Sequence, residues 1–121
     1  MPLAGVMLFV NDLPGLTAFY HDVVGLDPIE ETRLPDWVEF RGEGARLSLH
    51  AIPPSVAAGI TIASPPRARE QGGAKLTFAV RDVDATLATI EAMGLPLLRR
   101  PWGVEAVDPE GNVFALQKER A

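Results

Sequence analysis

The sequence predicts an α+β fold built from two tandem β-α-β-β-β modules. The first observation is an internal repeat: residues 9–13 (FVNDL) correspond to residues 79–83 (AVRDV), 70 positions further along the chain. The second is that each copy lies at the end of a short apolar run of strand length. The third is that each copy leads into a stretch with helical periodicity that stops at a glycine.

The two helices are predicted from their ends and from apolar spacing. Asp12 and Asp82 are suited to cap the first free backbone N–H groups, and Gly25 and Gly94 are suited to the left-handed position that ends a helix. Between these ends, apolar residues recur every three or four positions, which gives each helix one stripe to lay on a sheet. These residues are Leu13, Leu16, Phe19, Tyr20 and Val23 in the first helix, and Val83, Leu87, Ile90 and Met93 in the second.

Three strand-like segments follow each predicted helix. In the first module they are residues 27–33, 37–41 and 45–52, and in the second they are residues 97–100, 103–107 and 113–118. Turn sequences precede the last strand of each module, GEG at 42–44 and DPEGN at 108–112.

The domain organisation follows from the repeat. Module 1 covers about residues 3–52 and module 2 about residues 74–118, joined by a Pro- and Gly-containing linker at 53–73 in which 59–63 is a short extended piece. A module of roughly 50 residues buries too little surface to be stable alone. We therefore predict a single domain over residues 1–121.

Composition excludes several classes of protein. The chain has 121 residues and no cysteine, which removes disulfide scaffolds, thiolate zinc sites and cysteine nucleophiles. Eleven basic and 16 acidic residues give a net charge of −5, which does not suit nucleic acid or an anionic membrane. The N-terminal sequence MPLAGVMLFV has no basic segment typical of a signal peptide. We predict a cytoplasmic protein without nucleic-acid or membrane partners.

The order of the motifs resembles the vicinal oxygen chelate superfamily, which includes glyoxalase-type lyases, bleomycin resistance proteins and extradiol dioxygenases. The resemblance covers nearly the whole chain except the linker and the last few residues. It implies that the strands of both modules form a curved mixed sheet lining a ligand cup, with the helices on the outer face. The residues that carry it are 10–13, 19–20 and 24–26 in the first module, and 78–84, 102–103 and 108–112 in the second.

The same resemblance supplies a test for a metal. Metal-dependent members carry His, Glu or Gln at four inward positions, which align here with Gly5, Ser48, Lys75 and Ala115. Glycine and alanine have no donor atom, a neutral serine is seldom a primary ligand, and an ammonium group repels a cation. We therefore predict no metal and no cofactor. Shifting the alignment by two residues brings in only one histidine, His50.

Strand alternation assigns candidate ligand-binding residues to the cup. No catalytic residue is predicted, and several assignments have a structural alternative. Lys75 either holds an anionic ligand group or pairs with Glu39 or Glu105, and Arg46 either holds a ligand carboxylate or pairs with Glu39. The full set is Phe9, Trp37, Glu39, Arg46, Ser48, His50, Lys75, Thr77, Trp102, Glu105 and Gln117.

The leading functional hypothesis is a metal-independent homodimer that binds a small organic ligand, closest in character to the metal-free antibiotic-binding members. The charge of the ligand stays open, because the net charge of −5 suits a cation whereas Lys75 and Arg46 suit an anion. One alternative is a lyase, isomerase or dioxygenase with an unusual metal site, or with acid–base catalysis by Glu39, Glu105 or Lys75. Another is an interaction module, which predicts an extended exposed apolar patch and no enclosed cavity.

Overall fold

The structure, a computed structural model, describes residues 3–70 and 72–120. Met1 and Pro2 of the N-terminal segment, Gln71 of the predicted linker and Ala121 lie outside the described residues. The chain divides into two compact units, Met1–Thr61 and Ile62–Ala121, so the division falls inside the predicted linker. Each unit contains one sheet and one principal helix, as the repeat predicts.

The first unit is built on a three-stranded sheet in the order β1-β3-β2. Its strands are β1 (Gly5–Val10), β2 (Trp37–Phe40) and β3 (Arg46–Ala51). Strand β3 is parallel to β1 and antiparallel to β2, and His50 lies opposite both Phe9 and Trp37 in the register. This register places three ring-bearing side chains on the same face of the sheet.

Helix α1 (Leu13–Ala18) continues as a π-helical segment, Phe19–Val23, and covers the other face of this sheet. The Asp12 carboxylate caps the helix by accepting a hydrogen bond of 3.1 Å from the Gly15 N–H, as predicted. The predicted apolar stripe is largely confirmed, since four of its five members are buried. These four are Leu13, Leu16, Phe19 and Tyr20.

The predicted strand at residues 27–33 is wrong. Pro28 makes only an isolated bridge to Phe40, and Glu30–Thr32 form a single 3₁₀ turn. A proline lacks the N–H that a strand ladder requires, and the two adjacent glutamates are exposed. The linker also differs from expectation: α2 (Pro54–Ala57) is a short helix, and residues 59–63 contain no strand.

The second unit carries a four-stranded sheet in the order β4-β7-β6-β5. Strand β4 is parallel to β7, and the remaining neighbours are antiparallel. Helix α3 begins at the predicted cap, where the Asp82 carboxylate accepts a 2.9 Å hydrogen bond from the Ala85 N–H. The elements are β4 (Leu76–Val80), α3 (Val83–Ala92), β5 (Leu97–Arg100), β6 (Gly103–Val107) and β7 (Val113–Lys118).

Side-chain hydrogen bonds and one glycine fix the turn at 108–112. The fully buried Asp108 carboxylate accepts hydrogen bonds from the Glu110 N–H, the Asn112 N–H and the Asn112 side-chain amide, at 2.9, 3.0 and 2.8 Å. Gly111 has a φ of +93°, and a Cβ there would lie 2.2 Å from the Arg67 carbonyl oxygen. Only glycine therefore fits both the backbone conformation and the space.

Throughout the part of the chain that the structure describes, no helix combines the length and the apolar character that crossing a bilayer requires.

Candidate functional site

The sheet of the first unit has one face against α1 and one open face. Val10, Leu47 and Leu49 are buried on the helix side, whereas Phe9, on the opposite face, is 60% exposed. This alternation is the one predicted from strand parity. The exposed ring of Phe9 is therefore accessible to a bound molecule.

A cavity of about 490 Å³ opens on this face. Strands supply most of its wall: β1 contributes Met7 and Phe9, β2 contributes Trp37, and β3 contributes His50. The rest comes from the loop before β2. Its lining is mainly apolar and aromatic, with few polar groups, which is typical of small-molecule sites. The lining residues, all in the first unit, are Met7, Phe9, Thr32, Leu34, Asp36, Trp37 and His50. We call this cavity the aromatic pocket.

Backbone hydrogen bonds fix the loop that carries Leu34 and Asp36. Leu34 and Trp37 exchange N–H···O=C bonds of 3.0 and 3.2 Å, which closes a tight turn at the start of β2. The Asp36 carbonyl accepts a 2.8 Å bond from the Ala51 N–H. The backbone of Asp36 is therefore anchored to the sheet beside the pocket.

His50 lies at the centre of the aromatic pocket. Its ring centroid is 5.6 Å from that of Phe9 and 5.9 Å from that of Trp37, both in near-perpendicular arrangements. His50 Nε2 is 3.7 Å from Asp36 Oδ2, and Nδ1 is buried without a hydrogen-bond partner among the described residues. A buried polar atom without a protein partner is uncommon, and bound water is one way in which such an atom is satisfied.

Arg46, Glu39 and Ser48 lie further along the same face. Arg46 Nη1 is 3.7 Å from Glu39 Oε2, so the structure contains the pairing that the sequence allowed. Ser48 lies opposite Glu39 in the register and is buried. None of these three side chains lines the aromatic pocket.

In the second unit, the buried carboxylate of Glu105 accepts hydrogen bonds from three side chains. Glu105, 5% exposed at its side chain, accepts hydrogen bonds from Lys75 Nζ at 2.7 Å, Trp102 Nε1 at 3.2 Å and Arg100 Nε at 3.2 Å. Lys75 Nζ also lies 5.8 Å from the centre of the Trp102 ring. The alternative in which Lys75 pairs with Glu105 is thus the one observed.

These donors set the protonation of Glu105. The hydrogen bond from Lys75 is the main cause that lowers the pKa of Glu105 below its ordinary value, aided by Trp102 and Arg100, whereas burial acts in the opposite direction. Arg100 is also hydrogen-bonded to Glu70, which is the main cause that raises the pKa of Arg100. A carboxylate held ionised by three donors is a weak proton acceptor.

We expect Glu105→Gln to lower the free energy of unfolding near neutral pH by about 2 kcal/mol, since charge-assisted hydrogen bonds are lost. The pKa of Glu105 is lowered on folding, so its stabilising contribution is present above the ordinary pKa of 4.5 and disappears as pH falls through the lower folded value. The stability of the variant should therefore fall less than that of the wild type as the pH is lowered from 4.5 through the folded pKa of Glu105. Urea unfolding from pH 3 to 7 measures both effects, with the exposed Glu43→Gln as control.

The other candidates of the second unit do not converge on a pocket within it. A cavity of about 210 Å³ there is lined by Lys75 and Arg100 among others, but not by Thr77, Trp102 or Gln117. Thr77 and Gln117 are exposed, and Trp102 is 72% exposed while in contact with Lys75 and Glu105.

Several residues of the aromatic pocket were not among the predicted binding residues. Thr32, Leu34 and Asp36 were missed because residues 27–33 were interpreted as a strand, which left 34–36 as a mere connection. The LPD sequence at 34–36 is a turn signal, and it could have directed attention to this loop.

The positions that would hold a divalent metal do not fit one. In the first unit they are Gly5 and Ser48, which together offer a single hydroxyl oxygen. In the second they are Ala115, without a donor atom, and Lys75, whose Nζ donates to Glu105. Over residues 3–70 and 72–120, no three His, Cys, Asp or Glu side chains cluster in a way that could bind an ion. Neutral donors and an ammonium group do not offset the cost of stripping water from a divalent cation.

Comparison with known proteins agrees with the duplicated fold. The sequence model of the Glyoxalase/Bleomycin resistance protein/Dioxygenase superfamily matches residues 3–116. No curated protein sequence matches this chain significantly.

Three solved structures illustrate the similarity. A glyoxalase/bleomycin resistance protein/dioxygenase family enzyme from Burkholderia phytofirmans PsJN is 25% identical, with a TM-score of 0.68 and coverage of 96% of this chain and 97% of that one. A lactoylglutathione lyase from Agrobacterium tumefaciens is 29% identical, with a TM-score of 0.61 and coverage of 94% and 90%. An antibiotic binding protein from Streptomyces sp. CB03234 is 24% identical, with a TM-score of 0.63 and coverage of 99% and 97%, which shows the fold alone.

Proposed function

This chain belongs to the Glyoxalase/Bleomycin resistance protein/Dioxygenase superfamily, which confirms the resemblance seen in its motifs, and from that premise we propose that it is a metal-independent small-molecule binding protein. The observation that carries the proposal is the aromatic pocket. Its volume of about 490 Å³ suits a drug-sized molecule, and its walls combine Phe9 and Trp37 with the polar groups of Asp36 and His50.

Metal independence is supported by the residue types at the four aligned positions. Enzymes that use a bound ion need it to polarise a substrate oxygen, and the ion needs several oxygen or imidazole ligands. Here the set contains one serine hydroxyl and one lysine already bonded to Glu105. The aromatic pocket requires no such ion, because apolar contact and ring stacking supply its binding free energy.

The second candidate function is an enzyme, and the observation that favours it is the 29% identity to a structure described as a lactoylglutathione lyase. Its metal-free form would need a carboxylate free to move a proton. Both candidate carboxylates are engaged, Glu105 by three donors and Glu39 by Arg46. Elemental analysis of the purified protein separates the binding protein from a metal-dependent enzyme, which should carry about one equivalent of Zn, Ni, Mn or Fe that a chelator removes together with activity. A metal-free enzyme is distinguished by conversion of its ligand.

The proposal includes a cytoplasmic homodimer that sequesters its ligand, with an antibiotic as one class of ligand. Sequestration requires that the ligand binds stoichiometrically and is recovered unchanged, which distinguishes it from turnover. Light scattering on the eluting protein measures the oligomeric state, and a mass of twice 13.0 kDa is the expected result. A monomer at micromolar concentration would contradict the dimer but not the binding function.

Tryptophan emission tests the binding function directly, since the chain has only two tryptophans and one of them lines the pocket. We expect members of a library of flat heteroaromatic compounds to change the emission saturably, with one ligand per chain. Mass spectrometry should recover each bound compound unchanged. The proposal fails if no compound binds saturably, or if a bound compound is converted in amounts that exceed the protein.

A further inference from the structure

The charge of the aromatic pocket indicates the class of its ligand. Of its lining residues, Asp36 alone carries a fixed formal charge at neutral pH. Its side chain is 61% exposed, and within the described ranges the one basic side chain inside 4 Å of the carboxylate is that of His50, at 3.7 Å. A carboxylate at this separation from an imidazole retains most of its capacity to attract a cation.

The cations that argued for an anionic ligand are engaged elsewhere. Arg46 pairs with Glu39 at 3.7 Å, and Lys75 donates to Glu105 at 2.7 Å. Arg33, next to the lining residue Thr32, is bonded to Glu30 at 2.8 Å. None of these three cations lines the aromatic pocket. Arg46 and Lys75 are thus each paired with a carboxylate of their own unit. They therefore no longer argue for an anionic ligand against the net charge of the chain.

The aromatic side chains of the pocket, like Asp36, favour a cationic ligand. The faces of Phe9 and Trp37 carry the negative part of the ring quadrupole, which attracts a cation and repels an anion. Phe9 is 60% exposed, so its ring is available to a ligand. Met7 and Leu34 add apolar surface for an uncharged body.

We propose that the aromatic pocket takes an organic cation: a protonated or quaternary nitrogen close to Asp36, attached to a flat apolar body that contacts Phe9 and Trp37. The inference rests on the proposed binding function and specifies the chemical class of the ligand. A neutral ligand of the same shape would gain only the apolar contacts. An anionic one would face both the Asp36 carboxylate and the ring faces.

Calorimetric titration with three bicyclic probes at pH 8 tests this: the N-methylquinolinium cation, neutral quinoline and the 1-naphthoate anion. We expect the cation to bind about tenfold more tightly than quinoline, and naphthoate to bind most weakly. Asp36→Asn should remove most of the advantage of the cation over quinoline, leaving only the contribution of the ring faces. Asp22→Asn, an exposed site in the same unit with the same change in net charge, should preserve the preference.

The outcomes separate this inference from the proposed function. Binding of quinoline or naphthoate at least as tight as that of the cation would overturn the cation assignment and leave the pocket as a binding site. A preference that is undiminished in Asp36→Asn would also overturn it. If none of the three probes binds, the cation assignment fails, and the emission screen described above decides the binding function separately. In the wild type, added salt should weaken binding of the cation but not of quinoline, which provides a test independent of any variant.

Discussion

Trp37→Ala is expected to weaken ligand binding by at least tenfold, and so to abolish it at concentrations near the wild-type Kd. Trp37 is the largest side chain in the aromatic pocket, and its removal takes away an aromatic wall and the edge contact with His50. Losing the apolar contact of a large buried side chain costs about 1.5–3 kcal/mol, and about 1.4 kcal/mol corresponds to a tenfold change in Kd. Calorimetric titration with a compound identified by the emission screen measures the loss.

Trp102→Ala is the matched control for this prediction. Trp102 contacts Lys75 and Glu105 and does not line the aromatic pocket, so its removal should change the Kd by less than about twofold. Equal losses in the two variants would contradict the assignment of the site to the first unit. Far-ultraviolet circular dichroism of both variants should match the wild type, because neither tryptophan is fully buried.

Asp108→Ala is expected to lower the free energy of unfolding by about 3 kcal/mol. The substitution removes the fully buried acceptor of three hydrogen bonds and leaves the N–H groups of Glu110 and Asn112 without that partner. Urea unfolding followed by circular dichroism measures the loss.

The control for Asp108→Ala is Asp84→Ala, an exposed substitution in the first turn of α3. Its cost should be below about 1 kcal/mol, since only an interaction with the helix dipole is lost. If Asp108→Ala costs no more than this control, the hydrogen bonds to the Asp108 carboxylate do not contribute to stability as described above.

Local chemistry made most of the fold predictable. The aspartate caps at 12 and 82 accept the hydrogen bonds expected of them, and the strands of the second unit fall where apolar alternation and turn residues indicate. These signals depend on neighbours within a few residues, which is the range over which sequence patterns are informative. The strand predicted at residues 27–33 is wrong because Pro28 makes only an isolated bridge and Glu30–Thr32 form a 3₁₀ turn.

The site was less predictable than the fold. Strand parity correctly placed Phe9 and His50 on the open face, because parity follows from the backbone alone. It gave no means to predict that Asp36, from a loop, reaches the same pocket. Likewise, parity allowed Lys75 either a ligand or a salt bridge, and only the three-dimensional proximity of Glu105 distinguishes the two.

The central claim is that the aromatic pocket binds an organic molecule without a metal. The most direct measurement is the emission of Trp37 in the Trp102→Phe protein, which has no other tryptophan, after exhaustive treatment with a chelator. The account predicts a saturable change with one ligand per chain, the same Kd before and after chelation, and recovery of unchanged ligand. Binding that disappears on chelation and returns with added Zn, Ni, Mn or Fe would contradict it.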